Sequence, residues 1–323
     1  MKFSPVRKLF IILGFLLLMA SGAASVDDDL PEYTPVSGVS GNLNSIGSDS
    51  LNNLMLLWAE GFRAIYPNVN IQIQGAGSST APPALIEGTA QIGPMSRVMR
   101  GKEVDRFQAR HGYKPTRVEV AIDALAVFVN RDNPIEGLNL QQVDAIFSNT
   151  YRLGGSPIRK WGDLGLKGEW VNRSISLYGR NSVSGTYGFF KNVALGGGDF
   201  DGKRYQEQPG SSTVVQSVSS DRYGIGYSGI AYSTSGVKAV PLSRDPDSTH
   251  YFEPNAQNAI SGDYPLARFL FLYVNKDPRE PLDTLTYEFL RYALSGQGQE
   301  VVVRDGYFPL PADAAASVLE KLK

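Results

Sequence analysis

Three times in this chain an extended run ends in a short hydroxyl-rich turn that opens a helix: Ser48-Asp49-Ser50, Ser78-Ser79-Thr80 and Ser184-Gly185-Thr186. Strands and helices that alternate in this way throughout restrict the fold to an α/β class with largely parallel sheets. In open α/β sheets such turns lie at the carboxyl ends of strands, where ligands bind. Each turn offers free backbone N–H groups, hydroxyls and the positive end of a helix dipole to one point. That combination suits an anion. Ser and Thr are equally favoured as plain N-caps, and for any single turn that reading stays open.

Met1 to about Ala24 places Lys2, Arg7 and Lys8 ahead of an apolar run, Leu9 to Ala20, and the small residues Ser21 to Ala24. This is the pattern of a secretory signal peptide, assigned to residues 1–24, and its apolar run is shorter than the ~20 residues of a spanning helix. The 323 residues include no cysteine, so the exported fold is expected to be held by its core, and the expected compartment is a bacterial periplasm. Residues 25–41, acidic and then rich in Ser, Gly and Pro, read as a loosely held N-terminal arm. A net charge of -1 gives no reason to expect nucleic acid or an anionic membrane as partner, so any anion site must be local.

Leu51, Leu54, Met55, Trp58, Phe62 and Ile65 recur at helical spacing up to Pro67 and predict an amphipathic helix, followed by a strand at Val69-Ile71-Ile73. Ala90 to Met95 predicts a strand with Ser96-Arg97 at its C-terminal end. Val118 to Val129 reads as an apolar strand interrupted by Asp123, an acid that is costly there without a partner. Ile175 to Tyr178 predicts a strand leading through Arg180 and the third turn into a helix over Tyr187 to Leu195. Gly224 to Tyr232, Val237 to Leu242 and Ala267 to Val274 predict further strands, and Leu282 to Leu294 and Ala314 to Leu322 predict closing helices.

Neutral donors can dehydrate a tetrahedral oxyanion, and Arg97 and Arg180 would add charge. A buried carboxylate at Asp123 could accept the proton that phosphate carries near neutral pH and that sulfate lacks, which would give selectivity. The alternative is that Asp123 pairs with an Arg in the core. Asp49 is a rival acceptor, or simply a helix-start acid. Gly224-Ile225-Gly226-Tyr227-Ser228-Gly229 matches a dinucleotide fingerprint but lies within a predicted strand. His111 and His250 sit in polar segments and are expected to be solvated. With no Walker A, nucleophile-elbow or H-E-x-x-H pattern, no enzyme chemistry, cofactor or metal is expected.

Taken together, Gly47-Ser48, Gly75 to Ser78, Ile92-Gly93 with Ser96-Arg97, Ala121 to Val127, Ile146-Phe147-Ser148, Arg180 with Ser184-Gly185-Thr186, and Ile225-Gly226-Tyr227 resemble the phosphate-binding proteins of bacterial phosphate-specific ABC importers. The resemblance implies a two-lobed type II periplasmic binding protein fold with the ligand cleft between lobes. It implies lobe I at 42–127 and 232–323 and lobe II at 128–231. It also implies a phosphate ligand, hand-over to an ABC permease, and a monomer. Ser48, Ser78, Ser96, Arg180, Ser184, Gly185 and Thr186 would be ligands, with Asp49, Ser79, Arg97 and Asp123 added from the reading of the residues. The chain departs from the pattern at Ser182, where the family often has an acid, at Arg97, where its best-known members have Asp, and at Ala81-Pro82-Pro83. Other readings are a receptor for another tetrahedral oxyanion such as sulfate or molybdate, a secreted phosphate-handling enzyme, or a biofilm protein that reuses the fold.

Overall fold

A computed structural model describes residues 24–322; the signal segment, apart from Ala24, lies outside the described residues. The elements are, in order, β1 (Gly41–Ile46), α1 (Asn52–Ile65), β2 (Val69–Gln74), α2 (Ala81–Ile86), β3 (Ile92–Met95), α3 (Gly101–His111) and β4 (Thr116–Asn130). The chain continues with β5 (Leu138–Asn139), α4 (Leu140–Phe147), β6 (Ser176–Arg180), α5 (Gly185–Ala194), β7 (Tyr205–Gln208), α6 (Ser211–Ser220) and β8 (Gly224–Gly229). It ends with β9 (Val237–Ala239), β10 (Leu242–Ser243), α7 (Ala256–Ser261), β11 (Ala267–Val274), α8 (Thr284–Ala293), α9 (Gly296–Asp305) and α10 (Ala312–Glu320).

The apolar run around Asp123 becomes β4, the axis of the molecule. Its first part, Thr116 to Ala124, pairs antiparallel with β11, and Leu125 to Val129 pairs antiparallel with β8. One strand thus belongs to two sheet halves in the order β2-β1-β3-β11-β4-β8-β6-β7. Each half has a parallel outer part, β2-β1-β3 on one side and β8-β6-β7 on the other. The expectation of largely parallel sheets therefore fails at the centre, where β11 and β4 run antiparallel to their neighbours. A long strand buried on both faces needs near-continuous apolar sequence, and every residue from Val120 to Asn130 is buried. The fold is α/β and two-lobed, with a cleft where the carboxyl ends of β1, β2 and β3 face those of β6 and β7.

The first lobe buries the stripe of α1: Leu54, Met55, Trp58 and Phe62 have no exposed surface. The Trp58 indole N–H donates to the Gly298 carbonyl at 2.8 Å, which fixes α9 against α1. Helix α9 has no counterpart in the sequence reading because Gly296 and Gly298 depress helix propensity. Gly298 is required by packing, since a Cβ there would lie 2.0 Å from the Tyr292 carbonyl oxygen. The predicted strand over Gly224 to Tyr232 ends at Gly229, and Ile230–Tyr232 turns as a short 3-10 helix.

The N-terminal arm is not loosely held. Leu30, Tyr33 and Val39 are buried in the main core. The Tyr33 hydroxyl lies 2.8 Å from Glu288 Oε2 and 2.8 Å from the Tyr66 hydroxyl, and Asp27 Oδ2 accepts from the backbone N–H of Ala312 at the start of α10. Three apolar residues without periodicity gave the sequence no signal of this docking. His111 is not freely solvated either, because its ring packs on Phe107 with centroids 4.5 Å apart.

Tyr33→Phe removes a donor from the buried Glu288 carboxylate and should lower stability by about 1–3 kcal/mol in chemical denaturation. Burial also raises the pKa of Tyr205, Tyr264 and Tyr307 above the ordinary value of 10.0. The fold keeps these protons while the unfolded chain releases them, so their contribution is fully present below about pH 10 and falls as pH rises further. Melting temperatures should therefore be unaffected by these groups from neutral pH to about pH 10 and decline above it.

Candidate functional site

Five hydroxyls converge in the cleft. Ser48 follows β1, Ser78 follows β2, Ser96 follows β3, Ser50 lies in the 3-10 turn before α1, and Thr186 opens α5. Ser48 Oγ donates to Ser96 Oγ at 3.1 Å, and Ser78 Oγ lies 3.3 Å from Ser96 Oγ. Thr186 Oγ1 bridges the lobes, 2.8 Å from Ser50 Oγ and 3.4 Å from Ser96 Oγ. All five are buried at 3 % exposure or less. Neither Ser48 nor Ser78 is used as a helix cap. Ser184 is: its Oγ accepts from the backbone N–H groups of Thr186 and Tyr187, which leaves the Gly185 N–H at the tip of α5. A Cβ on Gly185 would stand 2.2 Å from Ser78 Oγ and 2.6 Å from Ser96 Oγ, so only glycine allows the two lobes this approach.

The cation among these hydroxyls is one that sequence reasoning missed. Arg268, on β11, donates from Nη2 to Thr186 Oγ1 at 3.0 Å and from Nη1 to the Ser96 carbonyl at 2.8 Å. Its Nε donates to Asp123 Oδ2 at 2.9 Å, and the two residues are register partners across β11 and β4. Asp123 Oδ1 accepts from the Ile230 N–H. The partner that Asp123 needs in an apolar strand is thus Arg268, and the core pairing left open by the sequence is the one present. Burial and the hydrogen bond to Ser50 O fit with the Tyr307 hydroxyl remaining protonated beside this carboxylate, whose charge adds to the upward shift. The only signal for Arg268 was an Arg within the apolar run Ala267 to Val274.

The other expected residues divide. Arg180 lies at the end of β6, and its Nη1 donates to Asp49 Oδ2 at 2.7 Å and to Ser211 Oγ at 2.7 Å, while Nη2 donates to the Pro209 carbonyl. Asp49 supplies the counter-ion that Ser182 does not. Arg97 turns outward from the cluster, forming two hydrogen bonds of 2.7 Å to Glu103 and one of 3.1 Å to Ser79 Oγ. Burial opposes ionisation of Glu103, yet the bonds from Arg97 and the Arg100 N–H outweigh it and hold the carboxyl below its ordinary value. The Ser79 N–H donates across the cleft to the Val183 carbonyl at 3.1 Å. The G-x-G-x-x-G segment is β8, paired to β4, as its place in a predicted strand required.

Two lobes hinged on a shared strand, with donors from both meeting in the cleft, define a two-lobed solute-binding fold. A family model described as a PBP superfamily domain matches residues 33–297. The phosphate-binding protein PstS of Pseudomonas aeruginosa is 59% identical over 305 residues, covering 94% of each chain. The chain belongs to the PBP superfamily and, within it, to the family of that relative. Among solved structures, a Clostridium perfringens protein with bound phosphate aligns with a TM-score of 0.70 at 24% identity, covering 84% of this chain and 100% of its own. An ABC-type phosphate transport receptor from Vibrio cholerae aligns with a TM-score of 0.64 at 22% identity, covering 83% of this chain and 100% of its own. At these identities the two structures establish the fold.

Arg268→Gln leaves the Asp123 charge buried without its counter-ion, so it should cost about 3–5 kcal/mol of stability in chemical denaturation. The double variant Arg268→Met with Asp123→Leu should recover most of that loss.

Proposed function

We propose that this protein is a periplasmic receptor that captures inorganic phosphate between its lobes and delivers it to an ABC permease, acting as a monomer and without chemistry. The observation that carries the reading is the set of five buried hydroxyls drawn from both lobes, bonded chiefly to one another and to Arg268. Hydroxyl hydrogens rotate freely about the C–O bond, so each can turn from its neighbour to an oxyanion. Phosphate would separate the cluster by its own width and accept from Ser48, Ser78, Ser96, Thr186, the Gly185 N–H and Arg268. Charge-assisted bonds of this kind, made by preset donors, replace the hydration shell of the anion. Closure then costs little further ordering, because the donors already sit on strand ends and helix starts. Asp123 acts in this scheme by holding Arg268, and Asp49 by holding Arg180. Export to the periplasm rests on the basic, apolar and small-residue pattern of residues 1–24, and delivery to a permease on membership of the family.

Calorimetric titration of the mature chain should show one phosphate bound per molecule. Thr186→Val, which removes the hydroxyl shared by the lobes, should weaken binding by about ten- to a hundredfold. Absence of phosphate heat from the intact protein, with heat from sulfate or molybdate, would overturn the assignment.

A further inference from the structure

The carboxylate of Asp49 belongs by sequence to the first lobe, yet each donor it receives comes from the second. Oδ2 accepts from Arg180 Nη1 at 2.7 Å, from the Ser211 N–H at 2.9 Å and from Ser211 Oγ at 2.7 Å. Ser211 is the first residue of α6, and the N-cap position before it is Gly210, which has no side chain to cap the helix. Asp49 therefore occupies the place of a missing cap, with its negative charge at the positive end of the α6 dipole. The same oxygen neutralises Arg180, whose exposure is 2 %. The Asp49 carbonyl in turn accepts from the Tyr232 hydroxyl at 2.9 Å, which anchors the backbone of the turn.

We infer that Asp49 is a positioning residue that latches the closed cleft, by supplying from the opposite lobe both the counter-ion of Arg180 and the cap of α6. This inference rests on the phosphate reading above and adds a division of labour to it. Arg268 is held by Asp123 on the neighbouring strand and keeps its orientation whether the lobes are open or closed. Arg180 and the α6 terminus obtain their partner only on closure. Removing the charge at Asp49 therefore destabilises the closed form selectively and leaves each hydroxyl of the cluster in place on its own lobe. The loss falls on dissociation, since the latch forms after the anion has entered.

The test compares the full mature chain with Asp49→Asn, using inorganic phosphate as the probe in stopped-flow binding and calorimetry. Dissociation from Asp49→Asn should be faster by about tenfold, with the association rate within about twofold of the parent, and the melting temperature without phosphate unchanged. Asp49→Glu, which keeps the charge, should restore part of the affinity. Because the chain has no cysteine, Glu87→Cys and Lys203→Cys give one specific label on each lobe. Inter-label distances in saturating phosphate should show a single short population in the parent and an added longer one in Asp49→Asn. Parental dissociation and a single short distance in a folded Asp49→Asn would overturn the latch while leaving the phosphate reading in place. No phosphate binding by the parent would overturn both.

Discussion

The Asp123–Arg268 pair sits where the molecule changes from one lobe to the other. Ala124 is the last β4 residue paired to β11, and Leu125 is the first paired to β8. Just before this switch an aspartate with no exposed surface meets an arginine that is 7 % exposed. Burying both charges is expensive, and hydrophobic residues of the same size would often serve stability as well. The pair is therefore better explained by position than by stability: it fixes a cation at the hinge end of the cleft, within reach of Ser96 on one lobe and Thr186 on the other. From that fixed point the parallel strands on either side deliver their carboxyl ends to the same small volume.

The hydroxyl cluster follows from that placement. Five strand ends point into the cleft, so whatever residue follows each strand faces the others. The sequence places Ser or a Ser-Gly-Thr turn at four of these ends and Gly210-Ser211 at the fifth. Hydroxyls tolerate this crowding because each can donate to a neighbour when no ligand is present, whereas charged side chains at the same density would repel. Glycine at position 185 then lets the helix tip of the second lobe close to within contact of Ser78 and Ser96. Two ion pairs flank the cluster, one within the first lobe and one across the cleft, so the site carries little net charge of its own.

Much of this was legible because local chemistry and global fold agree. The three turns, Ser96 at the end of β3, and β11 over Ala267 to Val274 follow directly from periodicity and hydroxyl placement. Asp123 was visible as an acid out of place, but its partner lies 145 residues away, and no local pattern marks a cross-strand pair. Arg97 shows a partner that the strand end alone does not reveal: an Arg there reads as site charge, and Glu103 in the first turn of α3 pairs with it. Arg180 has Ser182 and no acid beside it in sequence, and the structure supplies one from Asp49, 131 residues earlier. The docked arm and α9 were hidden because scattered apolar residues and glycines carry meaning only against the surface they meet.

The proposed site holds phosphate inside the hydroxyl cluster by groups from both lobes. A crystal structure grown in phosphate tests it most directly. The expected result is tetrahedral density within hydrogen-bond distance of Ser78 Oγ, Ser96 Oγ, Thr186 Oγ1 and the Gly185 N–H, with Arg268 Nη2 as the cationic donor. Density for phosphate elsewhere, or a cluster still closed on itself with no anion inside, would contradict it.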